Sequence, residues 1–222
     1  MRQSLLLKLF AAVIWVIASG HAWAGTVPWV GNDYLDLYFR IYNGQVPLPH
    51  LRDEKQKALF DHLIDSENLA RIQSAPVSAS EKLRQLEIIF ATLGAYRAHY
   101  NYAVVVGEPL EQELAMIQAY QLQVLGSMAK LSPNAGETSA SHASWATLVG
   151  GVIGSVANQK TYSPKQNAIM ADAFAENYSA IAAALTSDER KLVRAEVANL
   201  DDTDDNAIRR HAREQIRRAV FQ

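Results

Sequence analysis

Arg97 stands in an otherwise apolar stripe, flanked by Tyr96, His99 and Tyr100, and Gln121 falls opposite it on the next expected helix. A guanidinium beside phenols and an imidazole is a set that can hold an anion or move a proton. Inside a helical seam the guanidinium needs a partner, because an unpaired internal charge is strongly destabilising. Two readings follow. Tyr96, Arg97, His99, Tyr100 and Gln121 line a small-ligand pocket, or Arg97 snorkels or pairs with a carboxylate and sets helix register. No carboxylate lies within a turn of His99 to orient it, so aromatic packing with a half-exposed imidazole is the expected role of that residue.

Other candidate chemistry fails on spacing. His50, His62, His142 and His211 are scattered, with no His-x-x-x-His or Glu-x-x-His pair to hold a metal. Ser127-Met-Ala-Lys130 matches a serine nucleophile motif, but Met128 serves a helix seam and Lys160-Thr-Tyr162 lacks the glycine of the companion motif. Asp201-Asp-Thr-Asp-Asp-Asn206 resembles a calcium loop until its key positions are read. Ala207 replaces the turn glycine and Arg213 the bidentate glutamate. The acidic run reads instead as the start of a terminal helix whose five arginines lie further along, a layout that suits the helix dipole. The chain has no cysteine, which removes thiol nucleophiles and thiolate metal sites. No catalytic residue, metal ligand set or cofactor is expected, and the reading leans away from an enzyme.

The terminal helix offers a second kind of site. Ile208, Ala212, Ile216, Ala219 and Val220 form one stripe, and arginines cover the remainder. Arg209, Arg213 and Arg217 are therefore candidates for docking an acidic partner or an anionic membrane surface. Glu214 tempers this charge through pairs with Arg210 and Arg218 at i, i+4.

Helices must position these residues. Ser78-x-x-Glu81, Ser163-x-x-Gln166 and Thr186-x-x-Glu189 fit the capping box, with Pro164 at a first helical position. Apolar spacing predicts helices near 53–65, 67–74, 79–106, 109–131, 139–158, 164–185, 187–199 and 204–221. Leu83, Leu86, Phe90, Leu93, Arg97, Tyr100 and Val104 form one seam, and Leu110, Leu114, Ile117, Gln121, Val124, Met128 and Leu131 another. Folding back at Gly107 opposes Phe90 to Val124 and Leu93 to Gln121, so 79–106 and 109–131 are expected to form a long antiparallel αα-hairpin. Between Asp33 and Tyr42 alternation suggests a strand and Asn43-Gly44 a hairpin turn. Tyrosines at 34, 38 and 42 and the prolines of Val46-Pro-Leu-Pro49 favour a helix instead. The expected fold is an all-α, single-domain multi-helix bundle.

Residues 138–159 contain no Asp, Glu, Lys or Arg, and small residues recur every four positions at 146/150/154 and 147/151/155. Such stripes allow close helix approach. This segment reads first as a central helix buried by its neighbours and second as a membrane-entering or self-associating one.

Residues 1–24 carry Arg2 and Lys8, an apolar run from Leu9 to Ala18, and Ala22-Trp-Ala24 before Gly25. That is the pattern of a cleavable signal peptide, and the apolar core is shorter than the ~20 residues a spanning helix needs. Cleavage after Ala24 leaves residues 25–222 as one helical domain in the periplasm or beyond. Removing Arg2 and Lys8 leaves 19 basic residues against 23 acidic ones, a net charge of −4. A mildly acidic chain is a poor nucleic-acid binder. The function expected is a non-enzymatic interaction protein with an envelope protein as partner. A small-ligand carrier or unrecognised enzyme with a pocket near Arg97, and a membrane-associating protein, are the alternatives.

Overall fold

The computed structural model describes residues 30–131, 142–157, 162–200 and 206–222. Among the described residues all regular structure is α-helix. In chain order the helices are α1 (Val30–Tyr42), α2 (Glu54–Leu63), α3 (Ser66–Ser74), α4 (Ala79–Val105) and α5 (Glu111–Leu131). After these come α6 (His142–Ala157), α7 (Pro164–Ala184), α8 (Ser187–Ala198) and α9 (Ala207–Phe221). The expected signal segment and the acidic run at 201–205 lie outside the described residues.

Caps set most of these boundaries. Ser163 and Thr186 form complete capping boxes with Gln166 and Glu189. Ser78 caps α4 through Glu81 N–H alone, because Arg84 holds the Glu81 carboxylate at 3.0 and 2.9 Å. Asp53, Asp65 and Asn206 cap α2, α3 and α9. Asn43-Gly44 ends α1 instead of turning a hairpin. Gly44 adopts φ 69°, its N–H meets Ile41 O at 2.9 Å, and Gln45 N–H meets Arg40 O at 2.8 Å. Gly107 ends α4 in the same way, at φ 94°, with Gly107 N–H to Val104 O at 3.0 Å and Glu108 N–H to Ala103 O at 2.9 Å. Both are left-handed C-caps, where glycine avoids the clash of a Cβ.

The α4–α5 hairpin forms in the expected register. Gln121 Nε2 donates to Phe90 O at 3.1 Å, and the same amide lies beside Gly94. Seam residues Leu86, Phe90, Leu93, Leu114, Ile117, Val124 and Met128 are all buried. Each such side chain withdrawn from water contributes about 1.5–3 kcal/mol before ordering costs.

The centre of the bundle is α5, not the uncharged α6. Helix α5 is buried on nearly every side, packing most extensively on α7 and then on α4. Helices α1 and α3 rest on α4, while α9 rests on α7, with α6 and α8 completing that half. Gly126 permits the closeness of α5 to α7, for a Cβ there would fall 2.4 Å from Asn177 Oδ1. Helix α6 is peripheral. Trp145, Leu148, Val149, Val152, Ile153 and Val156 enter the core, but Thr147, Gly151 and Gly154 face outward. Of the α6 glycines only Gly150 meets a neighbouring helix closely, at Glu196. In α1, Tyr34 and Tyr38 face inward with Leu35 and Leu37, a helical face that strand alternation would have split.

Candidate functional site

The residues singled out around Arg97 part company in three dimensions. Tyr96, His99 and Tyr100 turn toward α1 and the linker before α2. Tyr96 donates its hydroxyl to Tyr34 O at 3.3 Å and meets the Tyr38 ring edge-on at 5.6 Å. Tyr100 donates to Pro49 O, with Phe60 edge-on at 6.0 Å. Burial pushes both phenols far up from their ordinary value, so they stay protonated. His99 packs against Tyr38 at 5.8 Å, and burial lowers its pKa. Its Nε2 is enclosed and lacks a hydrogen-bond partner among the described residues. This flank is packed aromatic structure.

Two further tyrosines do similar work. Tyr34 donates to Leu63 O, and Tyr120 donates to Asp65 O at 2.9 Å. Asn68 Nδ2 bridges Tyr34 Oη at 3.2 Å and His62 O at 2.9 Å. The network ties the α2–α3 corner to α1 and α5.

The charge of Arg97 is felt at Tyr162, just ahead of α7. Burial lowers its pKa, and the Tyr162 phenol opposes that shift. Arg97 makes no hydrogen bond or ion pair with any described residue. Tyr162 is itself buried. Burial raises its pKa, while Ser155, Gln118 and Arg97 pull it partly back and Glu111 raises it. Gln118 Nε2 reaches Tyr162 Oη at 3.5 Å, the long limit of a hydrogen bond, and Gln118 Oε1 is enclosed without a partner. Gln121 lies one turn away from this corner; its Nε2 is committed to Phe90 O and its Oε1 is also unpartnered.

The arginines of α9 are mostly drawn inward. Arg213 is 0% exposed, Arg209 donates to Tyr162 O at 3.2 Å, and Arg217 donates to Leu200 O. The exposed cationic positions are Arg210 and Arg218, the latter paired with Glu214. As placed, Arg209, Arg213 and Arg217 brace the bundle instead of forming an open basic face. They face inward because a helix covering α7 must turn a broad stripe toward the core, and long arginine stems fill its edges.

Arg209 thus holds the Tyr162 carbonyl, and the charge of Arg97 is felt at the Tyr162 phenol. Gln118 and Tyr162 bring polar side chains together inside this half. Sequence reading passed over Gln118 and Tyr162. The available signal was the position of Tyr162 directly ahead of the Ser163 capping box, where a side chain packs back onto the bundle. Among the described residues no three His, Asp or Glu side chains converge to bind a metal, and no helix is long and apolar enough to cross a membrane.

A different surface is apolar and open. Tyr102, Val105 and Val106 at the end of α4 are exposed, Val105 to 75%. Tyr42 stacks on Tyr38 at 6.2 Å, Phe39 meets Tyr38 edge-on at 5.8 Å, and both are exposed. Tyr38 meets His99, and Tyr102 and Val106 continue the His99 stripe of α4 at helical spacing. No family model, curated protein or solved structure matches the chain.

Proposed function

We propose that this is an exported, non-enzymatic helical protein that binds another protein of the cell envelope. The observation that carries the reading is the exposed apolar set at the hairpin end: Phe39, Tyr42, Tyr102, Val105 and Val106. Grouped aromatic and aliphatic side chains left in water mark a protein-binding surface, and tyrosine is enriched in such contacts. Export rests on the basic start, apolar core and Ala-x-Ala of residues 1–24. The membrane alternative loses its main support, since the apolar side of α6 is used inside the core. In this reading Arg209 supports Tyr162 and Arg217 supports Leu200.

A photoreactive phenylalanine analogue at Tyr102, expressed in cells, tests the surface against the same analogue at Leu192, which is exposed on α8. A discrete cross-linked protein from Tyr102 that disappears with Val105→Glu, and is absent from Leu192, is expected. Equal smears from both positions refute the docking surface. Sequencing the amino terminus of protein from fractionated cells tests export, and a cytoplasmic chain still beginning at Met1 refutes it.

A further inference from the structure

We propose that His99 is an acid-operated latch: its protonation frees the C-terminal half of α1 from α4 and so parts the two halves of the apolar docking surface. The proposal rests on that reading of the surface. Phe39 and Tyr42 supply one half from α1, and Tyr102, Val105 and Val106 the other from the end of α4. Tyr38 joins them. Its ring meets Phe39 at 5.8 Å and Tyr42 at 6.2 Å on its own helix. Across the interface it meets Tyr96 at 5.6 Å and His99 at 5.8 Å. Ring packing is what ties this half of α1 to α4. The first half has polar anchors instead: Tyr34 donates to Leu63 O, and Tyr96 donates to Tyr34 O at 3.3 Å. Beyond α1, Tyr100 donates to Pro49 O. The stretch 38–45 thus lies between two tied points.

A neutral imidazole fits this interface and a charged one does not. Nε2 is enclosed without a partner, and His99 forms no ion pair among the described residues. Protonation makes both ring nitrogens donors, so an Nε2–H would face no acceptor. Attraction of the cation to the Tyr38 ring offsets only part of that loss. The packed elements bring no countercharge. Helix α1 presents the Tyr38 phenol, while Asp33, Asp36, Arg40 and Tyr42 are exposed. In the linker before α2, His50 lies 3.5 Å from Asp53, and Arg52 is exposed. On α5, Glu113 accepts from Leu51 N–H at 2.9 Å and Tyr120 donates to Asp65 O at 2.9 Å. On α3, Arg71 donates to Asn68. Within one turn on α4 the titratable side chains are Tyr96, Arg97, Tyr100 and Tyr102, none of them a carboxylate. Burial accordingly holds the imidazole below its ordinary value.

Amide exchange read by mass spectrometry at pH 7.5 and 5.5, corrected for its intrinsic pH dependence, tests the latch. Opening of residues 38–45 is expected to rise several-fold in acid. The ceiling is about tenfold, because pH 5.5 lies about one unit below the ordinary imidazole value. Residues 111–131 of α5 are expected to hold their protection. His99→Phe and His99→Gln keep the position uncharged, and whichever retains the helical signal is expected to lose the acid response. His62→Gln and His211→Gln are expected to keep it. The Tyr102 cross-link is expected to weaken at pH 5.5 in step with the opening. No acid opening in the unmodified chain, opening that persists without His99, a rise shared equally by α5, or a Tyr102 cross-link at full strength in acid would overturn the latch. A Tyr102 cross-link missing at pH 7.5 as well counts against the docking reading alone, because exchange needs no partner.

Discussion

The two flanks of α5 are tied together by different donors. On the α1–α4 side, Tyr34, Tyr96, Tyr100 and Tyr120 each donate a hydroxyl to a backbone carbonyl. On the α6–α9 side, Arg190, Arg209 and Arg217 do so with guanidinium groups, to Ala182 and Leu185, to Tyr162 and to Leu200. A phenol brings a neutral donor and can be buried whole. A guanidinium stays charged, so the three arginines remain partly in contact with solvent at the bundle edge. The first flank therefore closes over its polar groups, and the second keeps a seam of polarity reaching inward at Arg97 and Tyr162. Enclosed polar atoms without a hydrogen-bond partner among the described residues remain on both sides, at Gln56, Gln85 and His99 on the first and at Gln118 and Asn167 on the second.

The strongest way to break the second flank is Gly126→Ala. The new Cβ meets Asn177, whose amide is fixed by a 2.8 Å bond to Ala173 O, so α5 and α7 must separate. A loss of roughly 2 kcal/mol is expected from denaturant unfolding. An unchanged midpoint would show that Asn177 swings aside freely.

Breaking the first flank takes a single oxygen. Tyr34→Phe removes the donor to Leu63 O and the acceptor for Asn68, and a loss of about 1–2 kcal/mol is expected, larger than the ~1 kcal/mol for Tyr96→Phe. Equal losses would mean that the Asn68 network adds nothing. Arg217→Met keeps the stem and removes the bond to Leu200 O together with the other contacts of the guanidinium at a partly exposed site, for which about 1 kcal/mol is expected. A larger loss than Tyr34→Phe would invert the comparison.

Alkali tests the buried phenols without mutation. The buried phenols have folded pKa values above the unfolded value of 10.0, with Tyr120 pushed up to about 12, chiefly by burial. The protonated phenol is thus favoured in the folded chain. Its contribution is complete below pH 10 and declines above it, as tyrosines of the unfolded chain ionise first and the folded value is approached. Stability should fall above pH 10, and less so in a Tyr120→Phe variant. A flat profile there would contradict the burial. His99 gives the acid counterpart. Burial lowers its pKa below 6.5, so stability present above that value is lost as pH falls through it.

The smallest effect belongs to Tyr162→Phe. Its hydroxyl has only long or side-chain contacts, and a change within about 0.5 kcal/mol is expected by thermal unfolding. A loss as large as that of Tyr34→Phe would make Tyr162 a structural tie like the others.

Helix positions, caps and the α4–α5 register were legible from residues alone, because each depends on neighbours within a turn or on two mirrored seams. Ser163, Thr186 and Gly107 act where local backbone chemistry requires. Asn43-Gly44 shows the limit of local reading. The same dipeptide suits a hairpin or a helix end, and the burial of Tyr34 and Tyr38 against α4 decides. Apolar content likewise did not identify the central helix. Helix α6 has the longer uncharged run, yet α5 lies at the centre with Gln118, Gln121 and Glu113 among its buried residues.

The candidate corner was half legible. Arg97 stood out because a charge interrupts an apolar seam, and Arg209 because it belongs to an arginine-rich helix. Which way each side chain turns depends on packing between helices far apart in sequence, and a 3.6-residue repeat does not encode that. Local sequence thus determined where helices begin, end and pair with their immediate neighbours. Tertiary packing alone decided that Tyr96 and Tyr100 close one flank while Gln118 and Tyr162 meet on the other. Capping and periodicity act within a few residues, whereas burial and hydrogen-bond satisfaction are settled only where separate helices touch.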